Sequence, residues 1–495
     1  MSGGLILGVA IIYFVVLMVI AWYTSRGADA HSFFIGNKKS KWYIVAYGMI
    51  GTSLSGVTFM SVPGEVGVKQ FAYMQIVLGY LVGYFVIALV LLPLYYRLNL
   101  TSIYSYLQQR FGNVTYKTGS SFFILSRTLG ASIRVFLVVN VLQVFVLDAM
   151  GVPFAITGAV IILLILIYTF KGGVKTIVWT DMIQTTCMLL ALVLSVVIIM
   201  QHLGYGPSEM MAAIREKKMT QVFFWDWKDK TFFGKQFLSG MFITIAMTGL
   251  DQEMMQKNLS CRSLKEAQKN MFTFSFILVL VNLMFLTLGA VLFVFADQSG
   301  IAVPAQTDQL FPGIALNHLG ELAGLIFLVG LISALYPSAD GALTALTSAF
   351  CIDILGLREQ KGWDEKKKTN VRYLVHLSFA IIFLLCILYF KAHNNSSVIS
   401  TILTIAGYTY GPLLGLYAFG MFTQKTIRDG WSPLICITSP IICYYVNLHS
   451  TQWFNGYQIG FEVLVLNGLL TFLGLVLISR KENKKPEVRM DDFGG

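Results

Sequence analysis

The chain has 495 residues, of which 56% are hydrophobic and only 12% charged, with a mean hydropathy of +0.70. A soluble domain carries about twice that share of charge, so this composition excludes a water-soluble globular protein and points to a polytopic membrane protein. The net charge of +11 would suit nucleic-acid binding, but its basic residues fall in short stretches between apolar runs, which excludes that class.

Taken in chain order, apolar windows long enough to cross a bilayer fall at 4–24, 43–64, 72–96, 120–148, 153–169, 179–201, 234–255, 271–295, 322–350, 373–391, 398–421, 431–447 and 460–480, about thirteen spans. The first has no basic segment before it and no small-residue cleavage site after it, so it reads as a retained span. The predicted architecture is therefore all-α.

The second span carries the most informative stretch, Ile50-Gly51-Thr52-Ser53-Leu54-Ser55-Gly56-Val57-Thr58-Phe59-Met60-Ser61-Val62-Pro63-Gly64. Hydroxyls, glycines and a closing Pro-Gly allow a spanning helix to break and turn its carbonyls toward a cavity. Carbonyls beside hydroxyls are hard-oxygen ligands for a small cation. The same small residues also suit a close helix–helix contact, so the stretch alone leaves both readings open.

Ionisable side chains inside spans are few. Arg127 and Arg134 lie seven apart on one face of the fourth span; Arg127 is expected to reach the cytoplasmic end, and Arg134 to need a partner, either Asp340 or an anionic group of a solute. Asp181 stands just inside the sixth span. Asp340 lies in the ninth, thirteen residues before Asp353, which puts it roughly 20 Å from that end and near the midplane. It shares a polar stripe with Thr344 and Thr347. Pro337 removes an N–H from the same helix and releases a carbonyl near Ser333 or Ala334.

Arg26, Lys38, Lys39, Lys41, Arg97, Arg110, Lys117, Lys171, Lys175, Lys257, Arg262, Lys265, Lys269, Arg358, Lys361, Lys366, Lys367, Lys368, Arg372, Lys425, Arg428 and the basic residues of the tail fall on one side. They are about 26 of the 36 Lys and Arg, and the positive-inside rule makes that side cytoplasmic. The N-terminus is then outside, the C-terminus inside, and 481–495 a cytoplasmic tail. The six cysteines show no metal spacing, and no nucleophile–base pair, HExxH or nucleotide-binding motif is present, so no catalytic residue and no organic cofactor are expected.

Four stretches together carry a resemblance. Thr101-Ser102-Ile103-Tyr104-Ser105-Tyr106-Leu107-Gln108-Gln109-Arg110-Phe111-Gly112, Gly172-Gly173-Val174-Lys175-Thr176-Ile177-Val178-Trp179-Thr180-Asp181-Met182-Ile183-Gln184, Gly249-Leu250-Asp251-Gln252-Glu253 and the ninth span ending in Cys351-Ile352-Asp353-Ile354 are similar to motifs of the sodium/solute symporter family. The resemblance implies a leucine-transporter-like fold. Two inverted repeats of five helices, 43–201 and 234–421, would have one extra helix before and two after, with the site at the broken first helix of each repeat. Gly240, Thr244, Thr248 and Gly249 would mark the second break.

It further implies a coupling sodium ion held by the carbonyls of Gly51, Leu54 and Ala334 and the hydroxyl of Ser338. Pro337 stands where members often have another hydroxyl. A second sodium near Asp181 would be altered or absent, because Asp340 and Gly341 stand where hydroxyls are usual. The solute would lie against Ser53, Ser55 and Thr58, with Gln75 from the third span, and Arg134, read from its depth in the fourth span, is the candidate for an anionic group of the solute. The expected function is sodium-coupled import of a small polar or anionic organic solute (a sugar, sialic acid, carboxylate or similar) by a single transporter domain in the inner or plasma membrane, working as a monomer. The rivals are a proton-coupled carrier that uses Asp340 and a membrane sensor without transport.

Overall fold

The computed structural model describes residues 3–24, 40–100, 102–169, 174–357, 359–360, 362–393 and 397–480. Arg26, Lys38, Lys39, Thr101, Lys171, Gly172, Gly173, Arg358, Lys361 and the tail 481–495 lie outside the described residues.

Long apolar runs with internal hydrogen bonding dictate helices, and helices are what form. They are α1 (Gly3–Thr24), α2 (Trp42–Ser53), α3 (Gly56–Lys69), α4 (Tyr73–Arg97), α5 (Asn113–Leu142), α6 (Phe154–Thr169), α7 (Val174–Leu203), α8 (Phe233–Thr244), α9 (Gln252–Leu259), α10 (Leu264–Gln298), α11 (Glu321–Ala349), α12 (Glu365–His393), α13 (Val398–Thr409), α14 (Gly411–Phe422), α15 (Ser432–Trp453) and α16 (Val463–Leu477). Among the described residues, seven helices are long and apolar enough to cross a membrane. The bent pairs α2–α3 and α13–α14 raise that to nine. Shorter apolar helices in α1, α6 and α16, together with α8, stand at the other expected spans, so the architecture is consistent with thirteen. The only strands among the described residues are Thr426–Ile427 and Ser479–Arg480, which pair antiparallel.

The centre is a bundle in which α2 packs on α7 and α10, α3 on α10, α7 on α11, and α4 on α8. Small residues set the closest approach. A Cβ on Gly79 of α4 would lie 2.1 Å from the Phe237 carbonyl, and one on Gly240 of α8 would lie 2.1 Å from the Ile76 carbonyl. Backbone therefore meets backbone at this crossing, as small residues allow in membrane helices. On the far side of α3, buried Phe59 meets Phe285, Phe311 and Phe327 with ring centroids 5.2–6.0 Å apart. These ring contacts fix the lower flank of the break just above it in sequence.

Candidate functional site

The break predicted in the second span is present. The last ladder bond of α2 runs from Leu54 N–H to the Ile50 carbonyl at 2.8 Å, Leu54 and Ser55 leave helical geometry, and α3 sets off at 57° to α2. The carbonyls of Gly51, Thr52 and Ser53 are thereby released from the ladder. The Ser55 hydroxyl accepts from Val57 N–H and caps α3, so it serves the break as well as the space beside it.

A second break lies where the Gly249-Leu250-Asp251-Gln252 motif falls. α8 runs into a wide turn over Ile245–Gly249, Asp251 is extended, and its carboxylate caps α9 by accepting from Glu253 and Met254 N–H. Here the freed carbonyls are already satisfied: Tyr95 donates to Gly249 O and Tyr104 to Leu250 O, both at 2.8 Å. The two breaks are thus chemically unequal, and the first keeps oxygens to offer.

Between them is a cavity of about 110 Å³. Ser53, Ser55 and Thr58 line it from the first break, Thr244 and Thr248 from the second, Tyr73, Tyr80 and Tyr84 from α4, Arg127 and Arg134 from α5, and Asn282 from α10. Buried Tyr84 lines the cavity together with Ser53 of the first break and Thr248 of the second. Tyr73, Ile399 and Leu403 also line a second cavity of about 430 Å³, whose lining includes Glu65, Lys69 and Lys230.

Four of the five residues expected to touch a solute line the cavity. The fifth, Gln75, does not. Its amide donates to Thr231 O at 2.9 Å and accepts from Phe224 N–H at 3.2 Å, which ties α4 to the segment before α8. A buried amide must satisfy both ends, and the backbone does it here. Arg134 makes no ion pair among the described residues, and its Nε is buried without a partner. No ion pair joins Arg134 to Asp340 among the described residues, so the alternative pairing does not form.

Beneath the cavity lies a buried charge network that sequence reasoning missed. Lys257 of α9, counted above as a cytoplasmic loop residue, is 3% exposed. Its ammonium meets Asp181 Oδ2 at 2.8 Å, Thr52 Oγ1 at 2.5 Å and Glu253 Oε1 at 3.6 Å. Thr52 also donates to Asp181 Oδ2 at 3.1 Å. Arg127, expected to extend to the cytoplasmic end, is instead buried in an ion pair with Glu253, with Asp251 Oδ2 at 3.8 Å from its Nε. Desolvating a guanidinium is tolerable only beside such counter-charges. Tyr410 completes the chain by donating to Asp251 at 3.2 Å. Asp181, expected near a sodium, is thus already bound to an ammonium.

Asp340 is fully buried on α11, where Oδ1 accepts from Gly341 N–H at 2.5 Å and Oδ2 has no partner. Of its stripe, Thr344 Oγ1 is also without a partner, whereas Thr347 is turned to His376 Nδ1 at 2.9 Å. Gly341 backs onto Glu253; a Cβ there would lie 2.1 Å from Glu253 Oε1.

Of the expected sodium ligands, Gly51 lies on α2, Leu54 at the break that follows it, and Ala334 and Ser338 on α11, which packs against α2. Gly51 lies against Thr185 of α7, where a Cβ would come within 2.1 Å of Oγ1. Ser338 is buried and donates to Leu335 O at 2.9 Å, which leaves its lone pairs free. Pro337 sits within α11 without breaking it, and the carbonyl it deprives of a donor is that of Ser333, one residue before Ala334. Among the described residues, no group of three His, Cys, Asp or Glu is arranged to hold a metal ion. Carbonyls released at the first break and a free hydroxyl are the oxygens that suit sodium.

Known proteins resemble this chain throughout its length. The sodium/sialic acid symporter of Proteus mirabilis is 25% identical, with 92% of each chain covered. That of Aliivibrio fischeri is 23% identical, covering 92% of this chain and 90% of its own. The solved structure of a substrate-bound, outward-open Na+-coupled sialic acid symporter superimposes with a TM-score of 0.81 at 22% identity, covering 95% of this chain and 97% of the other; this likeness establishes the leucine-transporter-like fold. The family model described as the sodium:solute symporter family matches residues 33–432, and the chain belongs to that family of membrane transporters.

Proposed function

We propose that this sodium-coupled symporter carries a small anionic organic solute of the sialic acid or carboxylate class in the cavity between its two broken helices. Arg134 faces the anionic group, and the hydroxyls of Ser53, Ser55 and Thr58 meet the polar remainder. The observation that carries the reading is Arg134 itself: a cation with a buried, unpartnered Nε, on a cavity lined by hydroxyls. A buried charge without a counter-ion is costly, and a bound anion removes that cost. The sodium/sialic acid symporters and a sodium-coupled monocarboxylate transporter of Xenopus laevis, 26% identical, are relatives that support an anionic solute.

One sodium ion is held by the carbonyls of Gly51, Leu54 and Ala334 and by the Ser338 hydroxyl, with the buried Asp340 carboxyl two residues further along the same helix. The repeats run 43–201 and 234–421, a division supported by a break in the first helix of each. The N-terminus faces out, the C-terminus is cytoplasmic, and the protein works as a monomer, a reading supported by the convergence of both repeats on one cavity. Alternating access then follows from rocking of the helices about the two breaks.

A thermal-stability screen of sialic acids, monocarboxylates and neutral sugars, each with and without sodium, tests the solute class. A ligand at a hundred times its Kd stabilises by about 2.7 kcal/mol. Anionic compounds are expected to stabilise, and more so with sodium. Equal stabilisation by neutral sugars would contradict the reading.

A further inference from the structure

We propose that the Lys257 ammonium is a built-in cation occupying what would otherwise be a second sodium site, so that this carrier binds one sodium per cycle. The inference rests on the single-sodium site proposed above.

An ammonium has three N–H donors. Around Lys257 stand three oxygens, one each from Asp181, Thr52 and Glu253, at 2.8, 2.5 and 3.6 Å. They come from three helices: α7, the end of α2 beside the first break, and α9 itself. All are hard donors of the kind that hold sodium, and all are buried. Further oxygens are left over. Asp181 Oδ1 and Asp340 Oδ2 are buried with no partner, and Asp340 lies in electrostatic reach of both Asp181 and Lys257. Four buried carboxylates (Asp181, Asp251, Glu253 and Asp340) share this region with two buried cations in contact with them, Arg127 and Lys257. Take away the ammonium and its stem, and what remains is a vacated pocket lined by a hydroxyl and carboxyl oxygens, with Arg127, against Asp251 and Glu253, the one cation still in contact with the four acids among the described residues. Its size and chemistry suit a small monovalent cation.

Lys257 also differs from a bound ion in one respect: it cannot leave. A sodium at this point would join α2, α7 and α9 only while bound, whereas the ammonium, carried by α9, joins α2 to α7 throughout. The ion-dependent part of the cycle is then confined to the carbonyl site at the break.

The test is ²²Na+ binding to the purified full chain in detergent, with the Hill coefficient of sodium-dependent thermal stabilisation measured alongside. The wild type is expected to bind one sodium per chain with a Hill coefficient near 1. Lys257→Ala, purified in high NaCl, is expected to bind two, with the coefficient rising toward 2. Two sodium ions on the wild type, or one on Lys257→Ala with an unchanged coefficient, overturns the proposal. No sodium on the wild type means instead that the carbonyl site has failed. Removing one partner of a buried ion pair is strongly destabilising, so Lys257→Ala can fail to fold. In that event Asp181→Asn/Lys257→Met, which removes both charges, gives the answer. It is expected to keep one sodium at wild-type affinity; loss of that sodium would show that Asp181 is a ligand of it and would overturn the proposal.

Discussion

The Tyr104 hydroxyl donates to the carbonyl of Leu250 at 2.8 Å, 146 residues away in sequence. This bond, with its neighbour from Tyr95 to Gly249, is why the second break offers no free carbonyl. It also explains the place of the stretch around Tyr104 in the fold: Ile103 N–H, one residue earlier, donates to Gln252 at 2.9 Å. The loop after the third span is a brace for the broken helix of the other repeat.

Tyr104→Phe should therefore leave a buried carbonyl unpaired. The expected cost is about 1–3 kcal/mol, read as a lower thermal midpoint, with solute and sodium affinity in the surviving folded protein little changed. Unchanged stability would mean that the carbonyl finds another donor.

Asp308, in the connection between α10 and α11, is expected to set a pH dependence of stability. Its Oδ2 accepts from Val398 N–H at 3.0 Å, and burial pushes its carboxyl up to about 6. An acid whose folded value is raised binds its proton more tightly in the folded state. The stabilisation is thus complete below the ordinary value of 3.8 and is lost as pH rises through about 6. Asp308→Asn should flatten the thermal midpoint across that window; an identical slope in both proteins would assign it to another group.

Arg134→Gln should abolish stabilisation by anionic solutes while leaving stabilisation by sodium in place. The two ligands are assigned to different residues, so the losses separate. A variant that loses both would make Arg134 a structural residue of the cavity.

Ser338→Ala removes one hard-oxygen ligand and little volume. The half-saturating sodium concentration should rise several-fold with the protein still folded. The same sodium dependence in variant and wild type would remove Ser338 from the site.

Much of this was legible in the chain because it depends on local chemistry. Thr52, Ser53, Ser55 and Gly56 crowd a span that needs no polar groups, and the break falls at Leu54–Ser55. Of the four residues that the resemblance offers as markers of the second break, Thr248 and Gly249 lie in the wide turn, while Gly240 and Thr244 lie within α8. Lys257 and Arg127 were illegible for the opposite reason. The helix Gln252–Leu259 carries both signs of charge and reads as a solvated loop, and it is buried only because Asp181 and Thr52, 76 and 205 residues from Lys257, converge on it. Long-range charge pairing leaves no periodicity to read. Gln75 misled for a related reason: a lone amide in an apolar span looks like a ligand, but Phe224 and Thr231 satisfy it from a segment more than 140 residues on.

The most direct measurement is uptake of radiolabelled sialic acid into proteoliposomes, with sodium and proton gradients imposed separately on wild type and Arg134→Gln. The account predicts accumulation by the wild type under an inward sodium gradient, none under a proton gradient alone, and none by Arg134→Gln under either. Accumulation driven by protons without sodium, or retained by Arg134→Gln, would contradict it.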